Sequence, residues 1–247
     1  SKEVIVVNDG SSDQTGQILE RSKEIFPWLK VITHKKGQGV GASFLEALDI
    51  ASCDNVTFFA GDNNAHAQLA EVMFTNIDKA DVIVSYFINT ESRNRTRNVL
   101  STLYSMLYCA LFGLHVKYIN GNSIYPVKRL KSLDLKADSY SIFSEILVKC
   151  LRTGGTYYEV CGYTNPDCSD SQALSFKSLL KVVKAFINLN WLVHYSEKTK
   201  YSQYAVRANV PSYVEYDLEA ELVKNNKVKN VSDNMINSKG DSAKLGV

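Results

Sequence analysis

The chain is predicted to be an α/β protein, with a mostly parallel central sheet flanked by helices. Three observations carry that prediction. A β-branched run, Val4-Ile5-Val6-Val7, stops abruptly on the polar turn Asn8-Asp9-Gly10-Ser11-Ser12-Asp13. The same order of apolar strand, polar turn and helix then repeats along the first third of the sequence. Finally, 247 residues with 45% hydrophobic content are enough to bury the core of one such domain.

Val4 to Val7 do not alternate with polar residues, which predicts a strand covered on both faces. The turn after it combines short polar side chains with Gly10, suiting a sharp bend and helix capping. A helix over 14–25 then places Ile18, Leu19 and Ile25 on one face. Residues 28–33 form a second strand, and Lys35-Lys36-Gly37-Gln38-Gly39-Val40-Gly41 opens a helix reaching about Ala51. A third strand over 55–60 ends on Gly61-Asp62-Asn63-Asn64. Residues 80–85 make a fourth strand, followed by a helix over 98–112 that is rich in Leu and Tyr. Glu145 lies among apolar residues on a helix over 139–149, and 156–160 reads as an edge strand carrying Glu159. In the amphipathic segment 176–193, Leu179, Leu180, Val183, Phe186 and Ile187 share a face, and Lys177, Lys181 and Lys184 add basic charge. From about Lys198 the chain is polar, and 224–247 lacks periodicity, as expected of a mobile or loosely attached tail.

Ligands of open α/β sheets meet polar groups at the carboxyl ends of the strands. Asp9 and Asp13 would repel a bare phosphate, so they suit a base, a ribose, or a metal that itself holds phosphate. Mg²⁺ takes oxygen ligands, typically one or two carboxylates plus substrate phosphates, and Asp62 with Asn64 offers such a place. Lys35 and Lys36 precede a helix N-terminus, which favours phosphate. Together these residues describe a nucleotide-diphosphate site. Further on, Arg93, Arg95 and Arg97 cluster before the 98–112 helix, and their planar forks suit a second phosphate. That helix and the Trp191-bearing segment 176–193 fit an anionic membrane interface. The plainer alternatives are a solvated arginine loop, helices packed on the sheet, or a helix docking a partner subunit.

Other classes are excluded or weakened. A formal charge of +2 gives no sign of nucleic-acid binding. The five cysteines, Cys53, Cys109, Cys150, Cys161 and Cys168, contain no close CxxC pair and read as reduced thiols of a cytoplasmic protein. No uncharged apolar stretch of about 18 residues is present to span a membrane. Gly37-x-Gly39-x-Gly41 lacks the dinucleotide spacing. The four histidines are scattered; His66 stands near Asp62, either approaching a metal or capping a helix.

These pieces resemble the family 2 glycosyltransferases of GT-A fold, in particular the branch with dolichyl-phosphate mannose synthase and other polyprenyl-phosphate sugar transferases. The resemblance rests on Val7-Asn8-Asp9-Gly10-Ser11-Ser12-Asp13-Gln14-Thr15, on the segment Lys36 to Ala42, and on Phe58 to Asn64. More weakly it rests on Asn120-Gly121-Asn122 and Phe143-Ser144-Glu145-Ile146-Leu147, all in family order over 1–165. It implies a nucleotide-sugar donor held by Asn8, Asp9, Gly10, Ser11, Asp13, Lys36, Gly37, Gly61 and Asp62. It implies Mg²⁺ or Mn²⁺ on Asp62 and Asn64, with Asp62 central to catalysis. A polyprenyl phosphate or glycan acceptor would meet Arg93, Arg95, Arg97, Ser101, Asn120 and Gly121. Glu145 would act as a base or orient the acceptor loop, since a hydroxyl acceptor must lose a proton and a phosphate need not; the plainer alternative is a structural role, satisfying backbone donors or pairing an arginine.

The sequence also departs from the family pattern. The Asp-x-Asp position reads Ala60-Gly61-Asp62, and the closing loop over 164–172 lacks the family's arginine and lysine. The strand and helix with which the family opens are expected to be missing ahead of Ser1. The expected organisation is a glycosyltransferase domain over 1–165, an amphipathic segment over 166–197 that contacts a membrane or partner subunit, and a polar extension over 198–247. The expected location is cytoplasmic, peripheral at the inner face of a membrane. A non-catalytic nucleotide-sugar-binding or scaffold subunit is the rival reading.

Overall fold

Strand β1 (Val4–Asn8) pairs in parallel with β2 (Leu29–Thr33), Val6 opposite Val31, with helix α1 (Thr15–Ile25) as the connection. The computed structural model describes residues 2–92, 95–136, 140–165 and 176–208, all inside one unit spanning Ser1–Ser212. Helix α2 (Val40–Ile50) follows β2 and buries Phe44 and Leu48. The second sheet runs in the order β3 (Asn55–Val56), β5 (Ser123–Pro126), β4 (Val82–Phe87), β6 (Thr156–Gly162), β7 (Val206–Arg207). Only β5 runs against its neighbours, so β3, β4, β6 and β7 share one direction and end at the same edge of the sheet.

Alternation along β4 divides the core. Val82 and Val84 enter one apolar cluster and Ile83 the other, as the two-residue period of a strand requires. The larger cluster centres on α6 (Ser141–Leu151), where Ile142, Ile146, Leu147 and Val148 are all fully buried. It is closed by Tyr108 and Phe112 of α4 (Arg95–Phe112). The smaller cluster sets Leu69 and Met73 of α3 (Ala67–Thr75) on Ile83, Tyr158 and Val160. Truncating a fully buried residue such as Ile146 to Ala costs about 2–5 kcal/mol. Helix α5 (Val127–Lys131) anchors through Leu130, and α7 (Phe176–Trp191) packs the Phe186 ring on Tyr108 and Phe112.

Several expectations are corrected. The β1 strand was expected to be covered on both faces, yet only Asn8 is buried and Val4 is exposed. Helix α1 buries no residue, and Ile18 and Ile25 face outward. The physical reason is that, among the described residues, β1 and β2 form a two-stranded ribbon of their own. The 55–60 strand pairs only at Asn55 and Val56; beyond them Phe58 leaves the ladder and stacks on Phe143. The 156–160 segment is no edge strand: β6 pairs with both β4 and β7 and is buried from Tyr157 onward. Helix α4 starts at Arg95 rather than Asn98, and α7 continues into a π-turn over Leu192–Ser196. The polar extension beyond Ala208, the stretch 166–175 and the side chains of 176–180 lie outside the described residues.

Candidate active site

The first polar cluster is built on the β1 turn. Gly10 adopts φ +80°, and the Asn8 side chain closes the turn by accepting from the Ser11 N–H at 3.1 Å. Asp13 accepts from the Thr15 N–H at 3.0 Å and so starts α1. Asp9 points at the second turn instead. Its carboxylate accepts from the backbone N–H groups of Gln38 and Gly39, each at 2.8 Å, and holds the N-terminus of α2. A Cβ on Gly10 would lie 2.7 Å from the Gly37 nitrogen, so the two glycines let the turns meet backbone to backbone. Lys36 projects from this junction, exposed.

His34 was passed over in the sequence as one of four scattered histidines, yet it is the buried centre of this cluster. Its Nδ1 lies 2.7 Å from Asp9 and its Nε2 2.7 Å from Glu46. Hydrogen bonds donated to Asp9 and then Glu46 raise the imidazole pKa, against a smaller opposing effect of burial. Burial pushes the Asp9 carboxyl up, but the Gln38 N–H, His34 and the Gly39 N–H together bring it below its ordinary value. No sequence signal marked His34, because its two partners are distant along the chain.

The second cluster forms where the chain leaves β3, β4 and β6. Asp62 accepts from the Asn64 N–H at 3.0 Å, and Asn63 holds φ +55°. Asn165 pins this loop, donating its side-chain amide to the Asn63 carbonyl at 2.6 Å and its backbone N–H to Asn64 at 2.9 Å. Asn89, just past β4, donates to the Thr164 carbonyl and accepts from the Thr164 N–H, both at 2.8 Å. His66 caps α3, its Nδ1 accepting from the Gln68 N–H. Among the described residues no three His, Cys, Asp or Glu side chains converge on a metal position. This loop offers the exposed carboxylate of Asp62 beside amide oxygens. Such a donor set fits a cation that arrives with a diphosphate better than a resident one.

The third group concerns the expected acceptor residues. Arg95 and Arg97 occupy the first turn of α4; Arg93 lies outside the described residues. Ser101 lines a cavity of about 320 Å³ together with Tyr86, Asn98, Ser105 and Lys117, whose Nζ donates to the Tyr86 hydroxyl at 2.8 Å. Asn120 is exposed, and its Oδ1 accepts from Ser144, which is also 2.8 Å from the Tyr104 hydroxyl. Gly121 lies against β4: a Cβ there would sit 1.9 Å from the Ser85 carbonyl oxygen. Glu145 is buried, pairs with the fully buried Lys149, and accepts from the Lys136 N–H at 3.2 Å. Glu159 is also internal, accepting from the Lys117 N–H at 2.7 Å and pairing with Arg207 at 3.1 Å. A larger cavity of about 400 Å³, near Gly113, Tyr157 and Tyr204, contains none of these residues.

A family model described as Glycosyl transferase family 2 matches residues 1–150, which hold the first cluster, the Asp62–Asn64 loop of the second and most of the third. The chain belongs to that family. Among solved structures it is similar to glucosyl-3-phosphoglycerate synthase from Mycobacterium tuberculosis in complex with UDP. That likeness has 15% identity and a TM-score of 0.56, covering 75% of this chain and 68% of the other. The same enzyme with Mn²⁺, UDP and glucosyl-3-phosphoglycerate gives a TM-score of 0.52 at 16% identity, over 76% of this chain and 68% of that one. At such identities the likeness shows the fold, the GT-A nucleotide-sugar transferase fold. Among curated proteins, a cholesterol galactosyltransferase of Borreliella burgdorferi is 28% identical over 88 residues. The match takes in 35% of this chain but only 24% of that protein's length. Among the described residues no helix is long and apolar enough to cross a membrane.

Proposed function

We propose that this glycosyltransferase-family chain moves a sugar from a nucleotide-sugar to a lipid-linked phosphate acceptor, with inversion at the anomeric carbon. The observation that carries the donor half is the Asp62–Asn64 loop, fastened to the end of β6 by Asn165. It sets one exposed carboxylate at the shared edge of the sheet. Asp62 and Asn64 would hold Mg²⁺ or Mn²⁺, whose chemistry is to neutralise charge on the departing nucleoside diphosphate. The turn Asn8–Ser11, with Asp13, Lys36, Gly37 and Gly61, would border the nucleotide. UDP and Mn²⁺ in the solved relatives support this reading.

For the acceptor, Lys117 lines the Ser101 cavity, and Arg95 and Arg97 stand on the first turn of the helix that carries Ser101, so that all three would supply positive charge for a phosphate. Glu145 is engaged by Lys149 and the Lys136 N–H, which favours the orienting role over the base role. An acceptor already anionic needs no base. Asn120, held by Ser144, would orient the acceptor. The sterol-directed name of the curated relative is in keeping with a lipid acceptor. One observation favours the rival, a nucleotide-sugar-binding subunit without activity: Ala60 stands where the family carries its first carboxylate.

Calorimetry with UDP, GDP and their sugars, with and without Mn²⁺, tests the donor site in wild type and Asp62→Ala. Metal-dependent binding of one nucleotide, lost in Asp62→Ala, is expected. Radiolabelled transfer to an isoprenoid phosphate in detergent tests the acceptor. Donor binding without turnover on any lipid phosphate or glycan would favour the non-catalytic subunit.

A further inference from the structure

We propose that the outward faces of α4 and α7 form a docking surface for a membrane containing anionic lipids. The inference goes beyond the acceptor assignment and does not rest on it.

A surface helix normally turns an apolar stripe inward and a charged face to solvent. Helix α4 does the first, burying Ser105, Tyr108 and Phe112, but not the second. Its outward side carries Leu100, Leu103, Met106 and Leu107, with Leu103 57% and Met106 62% exposed. From Asn98 to Leu114 there is no charged residue at all. At 1.5 Å per residue, the row from Val99 to Leu111 runs about 18 Å along the surface.

Helix α7 extends the patch. Its inward Phe186 packs on Tyr108 at 4.9 Å, and His194 stacks on Phe112 at 5.7 Å, so the two helices lie side by side. Ile187, the next residue after Phe186, is 59% exposed, and Trp191, one turn on, is 63% exposed. The Trp191 ring stacks on Tyr195 at 4.9 Å. Aromatic rings of this kind, apolar in body and polar at one edge, favour the headgroup boundary of a bilayer.

Charge decides the occupant. Arg95 at the start of α4 and Lys181 and Lys184 on α7 are exposed around the patch. Neither helix contains an acidic residue, and none occurs anywhere from Ser92 to Leu133. A second copy docked on the same face would bring like charges together, because a two-fold interface apposes identical surfaces. A sheet of anionic headgroups complements the basic rim while its acyl boundary accepts the apolar rows.

The 247-residue chain is mixed with phosphatidylcholine vesicles, with or without about 30% phosphatidylglycerol, lacking both isoprenoid phosphate and nucleotide-sugar. Co-sedimentation should be about ten-fold stronger on the anionic vesicles and should weaken in high salt. In a Trp28→Phe background, Trp191 emission should shift to the blue on binding. Leu103→Glu combined with Met106→Glu and Ile187→Glu should abolish both signals while leaving the melting temperature unchanged, since these side chains face out. Equal sedimentation on both vesicle types, unshifted Trp191 emission, or full binding by the triple variant would overturn the proposal. A concentration-dependent dimer lost in the triple variant, without vesicle binding, would assign the face to a second copy and overturn it too. Because no acceptor or donor is present, these outcomes are independent of the transferase reading.

Discussion

The imidazole of His34 approaches the Asp9 carboxylate to 2.7 Å through Nδ1. With Nε2 bonded to Glu46, only the protonated ring can donate to both carboxylates at once. This histidine therefore joins the β1 turn, proposed to border the nucleotide, to α2.

Stability and nucleotide binding are expected to fall as pH rises past neutrality. The His34 pKa is raised in the folded state. Its contribution is complete below the unfolded value of about 6.5 and is lost as pH climbs through the folded one. Asp9, held below its ordinary value, works in the opposite direction: its contribution is present above 3.8 and lost as pH falls through the lowered value. Urea midpoints measured between about pH 6 and pH 9 should decline in wild type and stay flat in His34→Gln. Parallel slopes in the two proteins would show that the ion pairs contribute nothing.

Glu3 is expected to clamp the start of β1. Its carboxylate accepts from Lys30 Nζ at 2.7 Å, the Ser52 N–H at 2.6 Å and the Cys53 N–H at 3.1 Å. The Lys30 bond, outweighing burial and reinforced by the backbone donors, lowers its pKa to about 2. Its contribution is complete above 4.5 and is lost as pH falls through about 2. Lys30 is half exposed, so Glu3→Gln should cost only about 1–2 kcal/mol at neutral pH. Guanidinium unfolding measures this, and the difference between the two proteins should shrink in acid.

The parts of this molecule that were legible in the sequence are those set by local chemistry. The turn after Val7 and the helix cap at His66 need only neighbours in sequence. So does the strand–helix alternation. Tertiary context decided the rest. The apolar pattern of 156–160 could not reveal that β7, some fifty residues on, would cover its second edge. The Val4–Val7 run predicted burial that the two-stranded ribbon does not provide. His34 and Lys117 drew no notice because their partners, Glu46 and Tyr86, become neighbours only on folding. Arg93 and residues 166–172 of the closing loop lie outside the described residues.

Gly121 and Gly61, both assigned to ligands by family resemblance, should respond differently to a methyl group. At Gly121 the new Cβ would stand 1.9 Å from a backbone oxygen of β4, and a strand cannot recede without breaking its ladder. Gly121→Ala should destabilise by about 3 kcal/mol or more. Around Gly61 there is nothing within 4 Å, so Gly61→Ala should change stability by no more than about 0.5 kcal/mol. An effect on nucleotide affinity from Gly61→Ala without loss of stability would mark a position where the ligand approaches the backbone. Thermal melts and calorimetry on the two variants separate these roles.

The buried Glu145–Lys149 pair offers the sharpest test of how the acceptor is handled. Lys149 is fully buried and donates both to Glu145 and to the Asp134 carbonyl, while Glu145 also receives the Lys136 N–H. Removing one partner strands a charge, so Lys149→Met should cost about 3–5 kcal/mol, whereas Glu145→Gln combined with Lys149→Met should recover part of that loss. A double-mutant cycle by chemical denaturation measures the coupling. Turnover then distinguishes the two roles for Glu145. If it orients the segment reaching Lys136, Glu145→Gln keeps a carbonyl acceptor for the same N–H, and kcat should fall only a few-fold under conditions where the variant stays folded. Loss of a general base would instead lower kcat by about 100-fold or more and remove a limb of the pH profile. A phosphate acceptor, anionic before attack, predicts the smaller effect.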